Sequence, residues 1–176
     1  CPFASYVSLI GNVANPANVI LEHKHTSNTD KNIFYIDNVS MVISGMTLKG
    51  NLALSAQNLG ITYSAFRLYE ASLYCNPDTI IIKDCMHGIY MQNQSKFTGN
   101  GIVMTNVLRA AYVQSSSFAS TGATVTLNQT PGYWIHPVSS SEWGKYGFNI
   151  SDNSLAYLTD LKLTGCDQSY GIHAYT

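Results

Sequence analysis

Charge is the scarcest property of this chain. Only 11% of its 176 residues are Asp, Glu, Lys or Arg, whereas these four make up about 25% of an ordinary soluble domain. The net charge is −1 at pH 7, and the nine Lys and Arg residues form no basic run. Because nucleic acids and anionic membranes attract proteins through clustered Lys and Arg, we expect neither of them as a partner.

Long apolar segments and helical patterns are also missing from the sequence. No run of about 18 apolar residues predicts a transmembrane helix, and no sustained stripe at a spacing of three and four residues predicts an amphipathic helix. Short runs of Val, Ile, Tyr, Phe and Thr are present instead, separated by Gly, Asn and Ser. Such runs are typical of β-strands joined by turns, so we expect an all-β fold with little or no α-helix.

One short pattern recurs along the chain. Each copy alternates apolar and polar residues, passes an Asp, Asn or Cys, resumes the alternation and ends on an apolar residue before a small-residue turn. The copies are residues 34–51, 80–100, 102–121 and 148–166, with a partial copy at 66–76. Their closing apolar residues are separated by 25, 24, 21 and 45 residues, namely Leu48, Leu73, Phe97, Phe118 and Leu163. A fixed period of this length predicts a solenoid.

The period favours a parallel β-helix with about 21–25 residues in each turn of the coil, or rung. Two-residue hairpin turns would be expected between antiparallel strands, and only Asn100-Gly101 offers one. We therefore expect residues 1–176 to form a single β-helix domain, with loop excursions at 13–32 and 130–147. The chain begins with Cys1 and ends in a strand-like segment, so we expect it to be a fragment of a longer protein.

Stacked rungs would bring like side chains together. We expect two apolar columns, one of Ile36, Ile82, Met104 and Ile150, and the other of the five closing residues. A third column would hold the polar turn residues, which are Asp37/Asn38, Asp84/Cys85, Thr105/Asn106 and Asp152/Asn153. Asn tolerates the left-handed backbone conformation of a sharp bend, and stacked amides can bond along a column.

The repeats at 34–51, 80–100, 102–121 and 148–166, together with the opening strand-like segment 2–12, resemble the pectate-lyase-like right-handed parallel β-helix proteins. Within that group the sequence is most similar to the body of a bacteriophage tailspike. The resemblance implies a homotrimer whose outer face binds host cell-surface polysaccharide, often with cleavage of the glycan. Fold alone does not establish such an activity.

The excursion at 130–147 supplies the candidate site residues. Tyr133, Trp134, Trp143 and Tyr146 offer flat faces to sugar rings, although the same rings can instead pack the loop onto its own rung. Glu142, beside Trp143, is the candidate catalytic acid, with an exposed loop carboxylate as the alternative. The four cysteines match no zinc motif and no calcium loop is present, so we expect no metal and no other cofactor.

Three functions remain open at this point. The first is a virion protein, the receptor-binding segment of a phage tailspike or tail fibre, assembled in the bacterial host cytoplasm. It would contact host polysaccharide and, through missing segments, other tail proteins. The second is a polysaccharide depolymerase, a hydrolase or lyase on the same β-helix. The third is a bacterial surface adhesin.

Overall fold

The computed structural model describes residues 6–23, 32–51, 63–75, 80–128, 146–166 and 170–176. These residues are nearly all β, with no α-helix among them and one 3-10 turn at Pro16–Asn18. The strands in chain order are β1 (Tyr6–Ile10), β2 (Ile20–Glu22), β3 (Asn32–Asp37), β4 (Ser40–Ser44), β5 (Met46–Lys49), β6 (Ser64–Tyr69), β7 (Ser72–Cys75), β8 (Ile80–Gln92), β9 (Lys96–Asn100), β10 (Val103–Gln114), β11 (Ser117–Thr121), β12 (Thr124–Leu127), β13 (Tyr146–Ser151), β14 (Leu155–Thr159), β15 (Lys162–Thr164) and β16 (Tyr170–Tyr175).

The strands form two parallel sheets. The first has the order β1-β4-β7-β9-β11-β14. In the second, the order β2-β5-β8-β10-β12-β15 runs through the first halves of the long strands β8 and β10. The second halves of β8 and β10 pair with β6 and β13, which pair in turn with β3 and β16. The expectation of an all-β fold with parallel strands is confirmed.

Polar residues with a left-handed backbone mark the corners between strands. Asp84 bends β8 with φ 61°, and Asn106 bends β10 with φ 54°. Across this corner Asn106 Nδ2 donates to Asp84 Oδ1 at 2.7 Å, and Asn128 Nδ2 donates to Asn106 Oδ1 at 2.6 Å. Asn and Asp tolerate positive φ better than other non-glycine residues, and their side chains link one unit to the next. The predicted hydrogen bonding along a column is therefore present.

A second polar column lies at a different corner. Gln92 Nε2 donates to Gln114 Oε1 at 3.0 Å, and Gln114 Nε2 donates to Asp152 Oδ2 at 2.7 Å. Asn38, between β3 and β4, belongs to this same type of corner. The prediction that Asn38, Asp84, Asn106 and Asp152 share one turn is therefore wrong. The two corners look alike in sequence because each places a polar residue between alternating apolar ones.

The core lies behind both sheets and consists of columns of paired apolar residues. In the first sheet Leu73 pairs with Phe97 and Phe97 with Phe118, with the two phenyl rings stacked at 4.8 Å. All three side chains are buried, so this part of the predicted column is confirmed. Leu48 and Leu163 lie in the second sheet instead, where Leu48 pairs with Ile82 and Leu163 pairs with Val125.

The other predicted apolar column is also divided between two strand rows. Ile82 pairs with Met104, as expected, but Ile36 pairs with Leu68 in the row that ends at Ile150. Each residue still faces the core, because the alternation of the strands was assigned correctly. Within the predicted excursion 13–32, Ile20–Glu22 forms β2 and Asn32 begins β3.

Candidate ligand pocket

A cavity of about 440 Å³ opens on the outer side of the strand row β6-β8-β10-β13-β16. Small-ligand sites usually have roughly 300–1,000 Å³. Five tyrosines line the cavity: Tyr63, Tyr90, Tyr112, Tyr146 and Tyr175. The other lining residues are Arg109, Asn149 and His173. We call this cavity the tyrosine–arginine pocket.

Strand register sets the position of the pocket residues. Tyr90 pairs with Tyr112, Tyr112 with Asn149, and Asn149 with His173, so one straight row of side chains crosses four strands. Successive side chains in a strand point to opposite faces, and the neighbouring Ile89, Ala111 and Phe148 are buried in the core. The row therefore points away from the core and forms one wall of the pocket.

The aromatic rings of the pocket lie flat against one another. The rings of Tyr90 and Tyr112 stack with centroids 4.8 Å apart and an interplanar angle of 10°. Tyr146 and His173 stack at 4.1 Å and 12°. Stacked rings at adjacent strands present continuous apolar faces with polar hydroxyl ends, which is a surface suited to a ring that is apolar on its faces and polar at its rim.

Arg109 is the only cation that lines the pocket, and it is only 5% exposed. Its guanidinium carbon lies 5.5 Å from the ring centroid of Tyr112. Burial lowers the pKa of Arg109, and the nearby tyrosine hydroxyls oppose that shift; arginine nevertheless keeps its charge in proteins. No residue that lines the pocket is Asp or Glu, so no carboxylate of the lining balances this charge.

The other titratable groups of the pocket are held neutral. Burial raises the pKa of Tyr63, and burial together with a hydrogen bond to Tyr175 raises the pKa of Tyr112 to about 12. His87 is fully buried beneath the pocket, with its ring 4.8 Å from that of Tyr63. Burial, and then the charge of Arg109, lower the pKa of His87 well below its ordinary value. The pocket therefore carries a positive charge at neutral pH.

A second cavity, of about 550 Å³, lies on the outer side of the first sheet. It is lined by tyrosines and small residues, among them Tyr6, Tyr74, Thr98 and Thr121, and no charged side chain lines it. It lacks the buried charge and the stacked rings of the tyrosine–arginine pocket. We therefore regard the smaller cavity as the stronger candidate site.

Tyr146 is the one predicted site residue that the structure describes, and it lines the tyrosine–arginine pocket. Tyr133, Trp134, Trp143 and the candidate acid Glu142 lie outside the described residues. Their roles, and a sugar-binding role for Tyr146, stay predictions. Cys75 and Cys85 are buried thiols that form no disulfide, in agreement with a packing role.

Most of the pocket was missed because its residues are far apart in the sequence. A signal was nevertheless present: Tyr90 and Tyr112 are one repeat apart and directly paired. Arg109 was set aside for lack of a nearby acid, although that lack is what makes a buried arginine informative. Aligning the repeats on their tyrosines would have brought these side chains together.

Two further observations concern metals and membranes. The described residues contain no group of three or more His, Cys, Asp or Glu side chains arranged to hold a metal ion. In the same part of the chain, no helix has the length and apolar character needed to cross a bilayer.

Comparison with known proteins gives no relative. No protein-family model, no curated protein and no solved structure matches this chain.

Proposed function

We propose that this chain is the glycan-binding, β-helical segment of a bacteriophage tailspike or tail fibre. The observation that carries the proposal is the tyrosine–arginine pocket, where stacked rings at Tyr90 and Tyr112 adjoin a buried cation. Sugar rings have apolar faces and a rim of hydroxyl groups, so flat aromatic faces edged by phenol hydroxyls complement them.

The proposal includes a right-handed coil of strands as the frame of the protein. It is supported by the parallel pairing of Leu73 with Phe97 and of Phe97 with Phe118, at separations of 24 and 21 residues. A coil that advances by one rung every 21–25 residues accounts for these pairings in both sheets. Since each rung would be hydrogen-bonded to the next, the frame would be stiff and would hold the pocket in a fixed position.

Binding fits the described pocket better than cleavage. Glycoside hydrolysis ordinarily requires two carboxylates about 5–9.5 Å apart, and no Asp or Glu is among the residues that line the pocket. A depolymerase would therefore need acids from outside the described residues, of which Glu142 is the candidate. We treat cleavage as an outcome of the experiment below.

The resemblance to tailspikes extends the proposal to assembly and location. We propose a homotrimer in the virion, attached to other tail proteins and assembled in the cytoplasm of the host bacterium. Light scattering of the purified chain is expected to give three times the mass of one chain. A monomer at micromolar concentration would contradict the trimer.

The binding proposal is tested on an array of bacterial capsular and O-antigen polysaccharides. The wild-type chain is expected to bind a subset of them, and Tyr112→Ala is expected to weaken binding at least tenfold because it removes a stacked face. Tyr157→Ala is the matched control, since Tyr157 is 62% exposed on β14 of the other sheet. Its affinity should match the wild type, and far-UV circular dichroism should be the same for all three proteins.

Two results would contradict the binding proposal. One is wild-type protein that binds no polysaccharide on the array, and the other is equal loss of affinity in Tyr112→Ala and Tyr157→Ala. Release of reducing ends or unsaturated sugars from a bound polysaccharide would replace binding by cleavage. In that case Glu142→Gln is expected to abolish the release, and unchanged turnover would exclude Glu142 as the acid.

A further inference from the structure

We propose that the tyrosine–arginine pocket is specific for a carboxylated sugar, with its carboxylate on Arg109 and its ring against the tyrosines. This inference rests on the proposed function and adds the chemical class of the ligand. It follows from two polar groups in the pocket whose bonding capacity the protein leaves unused.

The first group is the guanidinium of Arg109. The side chain is 5% exposed, and its Nε forms no hydrogen bond. A buried charge without a partner is costly, and contact with the Tyr112 ring at 5.5 Å offsets only part of that cost. A planar carboxylate matches the paired N–H groups of arginine and would supply the missing negative charge.

The second group is the amide of Asn149. Its side chain is 6% exposed, and Oδ1 accepts no hydrogen bond. Asn149 lines the same pocket and pairs with Tyr112 across the strands. A free acceptor beside a free donor requires a ligand that both accepts and donates. An inorganic anion only accepts, whereas a uronic acid has a carboxylate to accept and ring hydroxyls to donate.

The charge of the pocket indicates a single negative charge on the ligand. Arg109 is the only cation in the lining. Arg67 lies on the same face, 5.5 Å from the Tyr90 ring centroid, but does not line the pocket. One guanidinium balances one carboxylate, whereas a phosphate of charge near −2 would remain half uncompensated. The arrangement therefore favours a carboxylated sugar over a phosphorylated one.

The decisive measurement uses matched ligands on the wild-type protein. Oligosaccharides built on glucuronate, galacturonate and mannuronate are titrated by calorimetry, each beside its carboxyl-reduced counterpart. At least one acidic form is expected to bind tenfold or more tightly than its neutral counterpart. That preference should shrink as NaCl rises from 50 to 500 mM, because salt screens the ion pair. This comparison needs no variant and so does not depend on a substitution that leaves the fold intact.

Two variants then locate the preference. Arg109→Gln is expected to remove the difference between acidic and neutral ligands. Arg67→Gln, the control on the same face, should retain that difference within threefold. A preference retained in Arg109→Gln, or lost equally in both variants, would overturn the assignment to Arg109.

The outcomes separate this inference from the proposed function. If neutral and acidic oligosaccharides bind equally well and Tyr112→Ala still abolishes binding, the carboxylate assignment is wrong and glycan binding stands. If no oligosaccharide or polysaccharide binds, the proposed function fails as well. Sodium acetate or sulfate that competes as strongly as the best uronate would show a simple anion site and overturn the sugar assignment.

Discussion

The stack of Phe97 on Phe118 gives a direct measure of the register between neighbouring units. Both side chains are buried, and their ring centroids are 4.8 Å apart at an interplanar angle of 18°. Replacing either ring with Leu is expected to cost about 1–2 kcal/mol of unfolding free energy, since Leu retains most of the buried apolar area. Stacking adds about 0.5–1.5 kcal/mol that needs both rings.

This added term is measured by a double-mutant cycle. We expect Phe97→Leu and Phe118→Leu together to cost about 0.5–1.5 kcal/mol less than the sum of the single variants. Urea unfolding followed by circular dichroism supplies the free energies, provided that the slope with urea is the same in all variants. The slope matters because a change in it would indicate a different denatured state.

The control pair is Ile43→Val with Phe118→Leu. Ile43 lies in β4, three strands from β11, which corresponds to about 14 Å at the usual strand spacing. These two effects should add within about 0.5 kcal/mol. A coupling below about 0.3 kcal/mol between Phe97 and Phe118, with both single variants destabilised, would refute the stacked register.

Three further predictions concern stability and reactivity. Burial lowers the pKa of His87, so the unfolded chain binds the extra proton: unfolding free energy should fall on acidification below about pH 6.5, by up to about 1.4 kcal/mol per pH unit, and less steeply in His87→Gln. An unchanged slope in that variant would contradict the assignment. Burial raises the pKa of the Cys75 and Cys85 thiols, so neither should react with Ellman's reagent until urea unfolds the chain, as peptide mapping will show. Gly165→Ala should destabilise by more than Gly122→Ala, which should cost about 1–2 kcal/mol: both have positive φ, but a Cβ at Gly165 lies 2.2 Å from a backbone oxygen, against 3.9 Å to the nearest atom at Gly122. Equal losses in urea unfolding would exclude the close approach.

The sequence predicted the strand content and the parallel pairing because alternation and period are local signals. Phe97 and Phe118 were placed together since the segments that carry them have nearly the same length and the same closing turn. Asn38 and Asp84 were placed together wrongly for a related reason: each is a polar left-handed residue between apolar runs. A one-dimensional pattern does not distinguish the corners of a unit when every corner uses the same residue type.

The pocket was less predictable than the frame. Tyr146 was identified from its neighbourhood of aromatic residues, but Arg109 and Asn149 carry no local signal of function. Their significance comes from burial and from what surrounds them. Arg109 is informative because its neighbours in space are tyrosines rather than carboxylates, and only strand register brings those neighbours together.

The corner bent by Asp84 and Asn106 has a consequence for how this protein can vary. Within β8 and β10 the chain passes this corner without interruption, whereas 14 residues separate β5 from β6 and 18 separate β12 from β13. Both longer connections lead directly into tyrosines of the pocket, Tyr63 and Tyr146. Changes of length at this one position therefore leave the strand pairing intact while altering the entrance to the cavity, so ligand preference can diversify among variants without a loss of structural integrity.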